Sequence, residues 1–247
     1  MSTHTLYGVG VGPGDPELVT QKAVRVFEQA DLVLVPSTEA SGDDAGRAEQ
    51  IVLAACPSTQ PKLQRVPFSM AQRRGVGSKR RKAWEASAQA AVEAFRAGAG
   101  TVAFATVGDP SVYSTFSYLA AHVQGLVPDV EVVVVPGITA AQALAAASLI
   151  PLVEGQESMT LVPVTAGLEA VSAALDVADT VVAYKGGRQM PALLDLLRSR
   201  GRSGVMGVNI GLPGETITAL AEVNAESVPY FSTVFVAPIR HETGGRL

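Results

Sequence analysis

Apolar positions along the chain gather in short runs, separated by longer stretches whose apolar residues recur at helical spacing. Runs at 6–11, 31–36, 62–66, 101–106 and 130–135 predict strands, with helices expected over 18–30, 46–56, 79–97, 112–124 and 139–147. Several of the runs are apolar at every position, as strands become when both faces of a sheet are covered. After Leu149-Ile150-Pro151 the alternation restarts. Strands are expected at 159–164, 180–184, 205–210 and 233–237, and helices at 168–175 and 190–200, while 211–230 gives a mixed signal. The predicted fold is therefore α/β, two consecutive α/β domains over 1–150 and 151–247 with a ligand cleft between them.

One stretch tests that reading. Residues 132–153 carry no charge over 22 positions, long enough to suggest a membrane span. Pro136-Gly137 interrupts it after four valines, and Thr139, Gln142, Ser148 and Pro151 break the remainder. A buried strand, a turn and a core helix account for it better. The opening Met-Ser-Thr-His-Thr has neither a basic cluster nor an apolar core, so a cytoplasmic protein without membrane contact is expected.

Composition changes this picture little. The chain has 247 residues, 47% hydrophobic, enough for a substantial core. Its net charge of −4 argues against a nucleic-acid partner. Cys56 is the sole cysteine, which excludes an internal disulfide and a cysteine cluster; His4, His122 and His241 lack ligand spacing, so no metal is expected.

Chemistry is concentrated in three strand-to-helix junctions. The first, Gly8-Val9-Gly10-Val11-Gly12-Pro13-Gly14-Asp15-Pro16, invites comparison with the dinucleotide fingerprint G-x-G-x-x-G. It fails, because the sixth position is Asp15 counted from Gly10 and Pro13 counted from Gly8. Asp15 is placed instead to cap the next helix, with Pro16 in its first turn. The second junction, Thr106-Val107-Gly108-Asp109-Pro110-Ser111-Val112-Tyr113, sets a carboxylate at a strand's C-terminal end, where it can pair with a ligand amine or cap a helix. The third is Val135-Pro136-Gly137-Ile138-Thr139-Ala140-Ala141.

Together, in this order, the three junctions resemble those of the tetrapyrrole (corrin/porphyrin) methyltransferase family, and the resemblance extends over nearly the whole chain. The segment Gly108-Asp109-Pro110-Ser111-Val112-Tyr113-Ser114-Thr115-Phe116-Ser117-Tyr118-Leu119, with Phe68-x-Met70 and Trp84, looks most like the members that methylate precorrin-2 at its C20 meso carbon in cobalamin synthesis. The resemblance implies S-adenosylmethionine (SAM) as methyl donor, held largely by backbone groups. The matching positions are Pro13, Gly108, Asp109, Val112, Thr139 and Ala140, with Tyr184 in the second domain. Asp109 and Tyr113 are the catalytic candidates for removing a proton after transfer, by position alone. The resemblance also implies a homodimer and a small-molecule tetrapyrrole substrate, either precorrin-2 or its cobalt-bearing counterpart. Methylation at another ring carbon, a nucleotide-binding oxidoreductase and a non-catalytic tetrapyrrole carrier stay open as alternatives.

A final feature is hidden by the net charge. Arg73, Arg74, Lys79, Arg80, Arg81 and Lys82 place six positive charges within ten residues, with no acid between Ser69 and Trp84. A solvated loop and helix start would explain solubility, but cations at a helix N-terminus oppose the helix dipole. A polycarboxylate substrate gives them a use, and Arg73, Arg74, Arg80 and Arg81 are the expected substrate-binding residues.

Overall fold

The computed structural model describes residues 4–37, 44–68, 77–224, 228 and 231–240, with backbone alone at 78–80. Arg73, Arg74, Met70 and His241 lie outside the described residues. The chain divides into two compact units, Met1–Thr139 and Ala140–Leu247.

The first unit is built on five strands, β1 (Thr5–Gly10), β2 (Leu32–Ser37), β3 (Leu63–Pro67), β4 (Thr101–Thr106) and β5 (Glu131–Val135). They form one parallel sheet in the order β3-β2-β4-β1-β5. Helices α1 (Gln21–Gln29), α2 (Arg47–Ala55), α3 (Ser78–Arg96) and α4 (Phe116–Leu126) supply the connections. The strands alternate sides: Val9, Val33, Val35, Ala103 and Ala105 enter one core with Phe27 of α1 and Ile51 of α2, whereas Leu6, Leu34, Val102 and Phe104 enter another with Val92 of α3 and Leu119 of α4. Cys56 is buried in the first of these cores, its Sγ 3.3 Å from Ser58 Oγ.

Local chemistry fixes where the helices begin. Thr20 Oγ1 accepts from Ala23 N–H at 3.1 Å and caps α1. Asp15 does cap a helix, but a short 3-10 turn, Pro16–Leu18, ahead of α1. The largest departure from the sequence expectation is α4, which starts at Phe116 and not at 112. Ser111 folds back on Asp109, and Tyr113 adopts φ 52°, a left-handed conformation that stops a helix from forming there. Gly8 explains how α4 then docks. A Cβ on Gly8 would stand 2.3 Å from the Phe116 ring, so the glycine leaves a flat strand surface on which that ring lies.

The second unit holds β6 (Met159–Pro163), β7 (Thr180–Tyr184), β8 (Gly204–Val208), β9 (Thr216–Ala219) and β10 (Ser232–Val236) in the order β6-β7-β10-β8-β9. Only β6 and β7 pair in parallel; β10 runs antiparallel to both β7 and β8. Helices α5 (Ala140–Ser148), α6 (Leu168–Val177) and α7 (Met190–Ser199) complete it, with Leu193, Leu194 and Leu197 of α7 at the centre of the core. The mixed signal at 211–230 contains β9, a short edge strand with no fully buried position.

The division falls at residue 139, where the sequence pattern had suggested about 150. Helix α5 packs on β10 and β9, and Leu144 reaches to 2.8 Å from where a Cβ of Gly207 would sit. In the same unit Arg240 binds Glu157 through two hydrogen bonds, at 3.0 and 2.6 Å, and donates to the Pro151 carbonyl at 3.1 Å. Those hydrogen bonds hold the Glu157 carboxyl below its ordinary range. No helix among the described residues is long and apolar enough to cross a membrane.

The seat of Phe116 on β1 is testable by a double-mutant cycle. Gly8→Ala should cost about 1–3 kcal/mol in urea unfolding through overpacking. Adding Phe116→Leu, which withdraws the ring, should recover part of that loss; strictly additive effects would show that the two residues do not meet.

Candidate functional site

The three junctions recognised in the sequence converge at the C-terminal edge of the first unit's sheet. Val11 N–H donates to the Thr106 carbonyl at 3.0 Å, and beyond it Gly12 and Gly108 exchange backbone hydrogen bonds of 3.3 and 2.7 Å. The third loop closes on both. A Cβ at Gly137 would lie 2.2 Å from the Gly108 carbonyl oxygen, and one at Gly10 would lie 2.6 Å from the same atom. Three loops therefore meet at backbone distance, and two of the glycines are required by space alone. Gly108 differs: its φ is +75°, and nothing stands within 4 Å of where a Cβ would be. It leaves an open backbone surface that a ligand can approach closely.

Asp109 locks this arrangement. One carboxylate oxygen accepts from Ser111 N–H at 2.7 Å and from the Ser111 hydroxyl; the other accepts from Gly137 N–H at 2.9 Å. Burial works to raise the Asp109 pKa, but the hydrogen bonds from the Ser111 hydroxyl, Gly137 N–H and Ser111 N–H outweigh it and hold the carboxyl below its ordinary value. A buried carboxylate with both oxygens engaged and a lowered pKa is a poor proton acceptor. Its surroundings favour tying loops together over the catalytic role expected from its position.

The remaining sequence candidates divide between the two units. Pro13 is buried in the first loop, while Val112 and Thr139 are half-buried in the second and third. Tyr113 is 40% exposed, and burial of the rest pushes its phenol above the ordinary value, so it is protonated at neutral pH. In the second unit the Tyr184 hydroxyl accepts from Ala141 N–H at 3.2 Å, in the first turn of α5 beside Ala140. Arg81 is exposed on α3, and Arg80 lies on the same helix without a described side chain.

Two further positions, with unusual backbone, stand out only in the structure. Lys185 and Asn209 adopt φ 61° and 51° directly after β7 and β8. Both strands are antiparallel to β10, so these two left-handed residues emerge at one edge of the second sheet. Asn209 N–H donates to the Phe231 carbonyl there at 3.1 Å. Non-glycine residues held in this region cluster at functional sites. An asparagine followed by Gly211-Leu212-Pro213-Gly214 was the available signal for the second. Among the described residues no group of three or more His, Cys, Asp or Glu could hold a metal ion.

Asp109→Asn keeps the side-chain volume but turns an amide donor toward N–H groups that need an acceptor. It should cost about 1–3 kcal/mol at pH 7, read as a Tm lower by about 2–10 °C. The lowered pKa of the wild-type carboxyl means its contribution persists above the unfolded value and is lost as acidification protonates the folded state. The gap between the two proteins should therefore narrow as the pH falls below the ordinary carboxylate range; a gap of constant size would exclude the ionised tie.

Comparison with known proteins agrees with this geometry. The model of the Tetrapyrrole (Corrin/Porphyrin) Methylases matches residues 5–224. A precorrin-2 C(20)-methyltransferase of Sinorhizobium sp is 34% identical over 236 residues, covering 94% of each chain. A cobalt-precorrin-2 C(20)-methyltransferase of Salmonella typhimurium is 29% identical over 235 residues, 94% of this chain and 95% of the relative. Among solved structures, the uroporphyrin-III C-methyl transferase of Thermus thermophilus in complex with S-adenosylhomocysteine superposes with a TM-score of 0.65 at 24% identity, covering 94% of this chain and 97% of that one. At that identity the structural match speaks for the fold, and the family model together with the sequence relatives carries the assignment: the chain belongs to the tetrapyrrole (corrin/porphyrin) methylase family.

Proposed function

We propose that this protein is a SAM-dependent C-methyltransferase that methylates precorrin-2 at the C20 meso carbon, giving precorrin-3A in cobalamin biosynthesis. The observation that carries the reading is the 34% identity to a precorrin-2 C(20)-methyltransferase along 94% of both chains. The convergence of glycine loops around Gly108 supports it, because that backbone is open to a ligand and built for close approach. The relative from Salmonella typhimurium favours a second reading, in which the same carbon is methylated on the cobalt-bearing substrate.

SAM, when bound, supplies a methyl group activated by its sulfonium. The chain's part is binding and alignment. In the first unit we assign the cofactor to Pro13, Gly108, Val112 and Thr139, with Asp109 holding the loops that present them. Ala140 and Tyr184 are the corresponding assignments in the second unit. The meso carbon belongs to an electron-rich, enamine-like system, so the substrate brings its own nucleophile and needs no activating base for attack. Tyr113, protonated and partly exposed, is suited to donating a hydrogen bond to the substrate. Arg73, Arg74, Arg80 and Arg81 are assigned to the substrate's peripheral carboxylates. The protein acts as a cytoplasmic homodimer in this reading, and exposed Leu149, Val153 and Ile239 are apolar residues that a second subunit would cover.

Incubation with SAM and either metal-free or cobalt-bearing precorrin-2, followed by NMR location of the new methyl group, tests the assignment. Methyl at C20 is expected; methyl at another carbon, or none, would refute it. Replacing Arg80 and Arg81 together with alanine should raise the tetrapyrrole KM about tenfold or more while SAM affinity stays within twofold. Unchanged kinetics would remove the basic segment from the substrate site.

A further inference from the structure

Trp84 of α3 and Tyr118 of α4 stack with ring centroids 4.4 Å apart and planes only 12° from parallel. The pair is unusual for where it stands. Tyr118 is 49% exposed, although one face of its ring is covered by the indole, so the exposed surface is the opposite face and the edge. Neither residue belongs to the buried core that α3 and α4 share through Val92, Phe95, Phe116 and Leu119. The open face is an apolar, flat surface that a planar ligand can cover.

Its position gives that surface a use. Tyr118 sits in the first turn of α4, which begins as the Gly108–Thr115 loop ends, and its N–H donates to the Thr115 carbonyl at 3.2 Å. Two residues earlier, Phe116 rests on Gly8 of the central strand β1. Trp84 lies in the second turn of α3, one turn before Ser87, whose hydroxyl donates at 3.0 Å to the carbonyl of Pro67 at the C-terminal end of β3. Both rings therefore stand at the strand edge that carries the glycine loops. Arg81, exposed on α3 one helical turn before Trp84, places positive charge beside the stack.

We propose that Tyr118 is a substrate-contacting wall of the tetrapyrrole site, with its open face lying against the macrocycle and Arg81 receiving a peripheral carboxylate, while Trp84 is the positioning residue that holds the phenol ring at its angle. The inference rests on the methyltransferase reading above and deepens it. A flat, polycarboxylated macrocycle is the ligand that matches an aromatic face bordered by a cation; SAM, with a single carboxylate and no phosphate, is already assigned to the glycine loops. The role is specificity for the acceptor, separate from the binding of the methyl donor.

Trp84 is the only tryptophan in the chain, so its fluorescence reports this place alone. With S-adenosylhomocysteine present to prevent turnover, saturating precorrin-2 should reduce the acrylamide quenching constant of Trp84 at least twofold. Tyr118→Ala should raise the KM for precorrin-2 about tenfold, with kcat and SAM affinity within twofold of wild type, and Tyr118→Phe should restore the KM. Wild-type protein that methylates precorrin-2 without protecting Trp84, or a Tyr118→Ala enzyme with unaltered KM, would overturn the wall and leave the methyltransferase reading intact. Absence of methyl transfer by the wild type would overturn that reading and the wall with it.

Discussion

Asp109 is the residue on which the geometry of the first unit's functional edge depends. Its two oxygens gather N–H groups from its own loop and from the loop after β5, and a third loop is pressed against the same carbonyl that Gly137 touches. Backbones brought this close cannot be held by side-chain packing, because no room exists for side chains between them. A buried carboxylate can do it when both oxygens are engaged; ionised and holding three donors, Asp109 replaces much of its hydration with fixed N–H and O–H groups. The same constraint explains why its pKa is lowered despite burial, and why it makes a better strut than a base.

Around that strut, small residues do work that phosphate-binding glycines do elsewhere. Gly8 makes a seat for Phe116, Gly10 and Gly137 permit a crossing of backbones, and Gly108 alone turns an open face outward. The glycines of the first junction alone divide between two physical functions, a seat at Gly8 and a backbone crossing at Gly10. A fingerprint search treats them as one, which is why the dinucleotide pattern was tempting and also why it failed at Pro13 and Asp15. The left-handed conformations of Lys185 and Asn209 directly after strands, of Tyr113 ahead of α4 and of Leu149 after α5 place strain just outside the regular elements in both units.

Much of the architecture was legible along the chain. The strands at 101–106 and 180–184 and the long helix closing before Gly98 follow from periodicity, since their residues have no competing local preference. The start of α4 was not legible, because Val112 and Tyr113 carry adequate helix propensity and only the Asp109–Ser111 hydrogen bonds divert them. Strand β9 escaped for a different reason. It is a short edge strand, partly exposed at each end, so it lacks the apolar run that marked the buried strands.

The sequence by itself determined the alternation of strands and helices, the three glycine-bearing junctions, the isolated basic segment and the family to which they point. Those are properties of composition and order, which act locally. Tertiary structure alone decided that α5 belongs with the second unit, that Asp109 spends its charge on neighbouring loops, and that Trp84 and Tyr118 meet at all. Each of these joins residues distant in sequence: Leu144 with Gly207, Asp109 with Gly137, one helix with another. Contacts of that kind depend on how sheets and helices stack, and a linear pattern carries no record of which faces will come together.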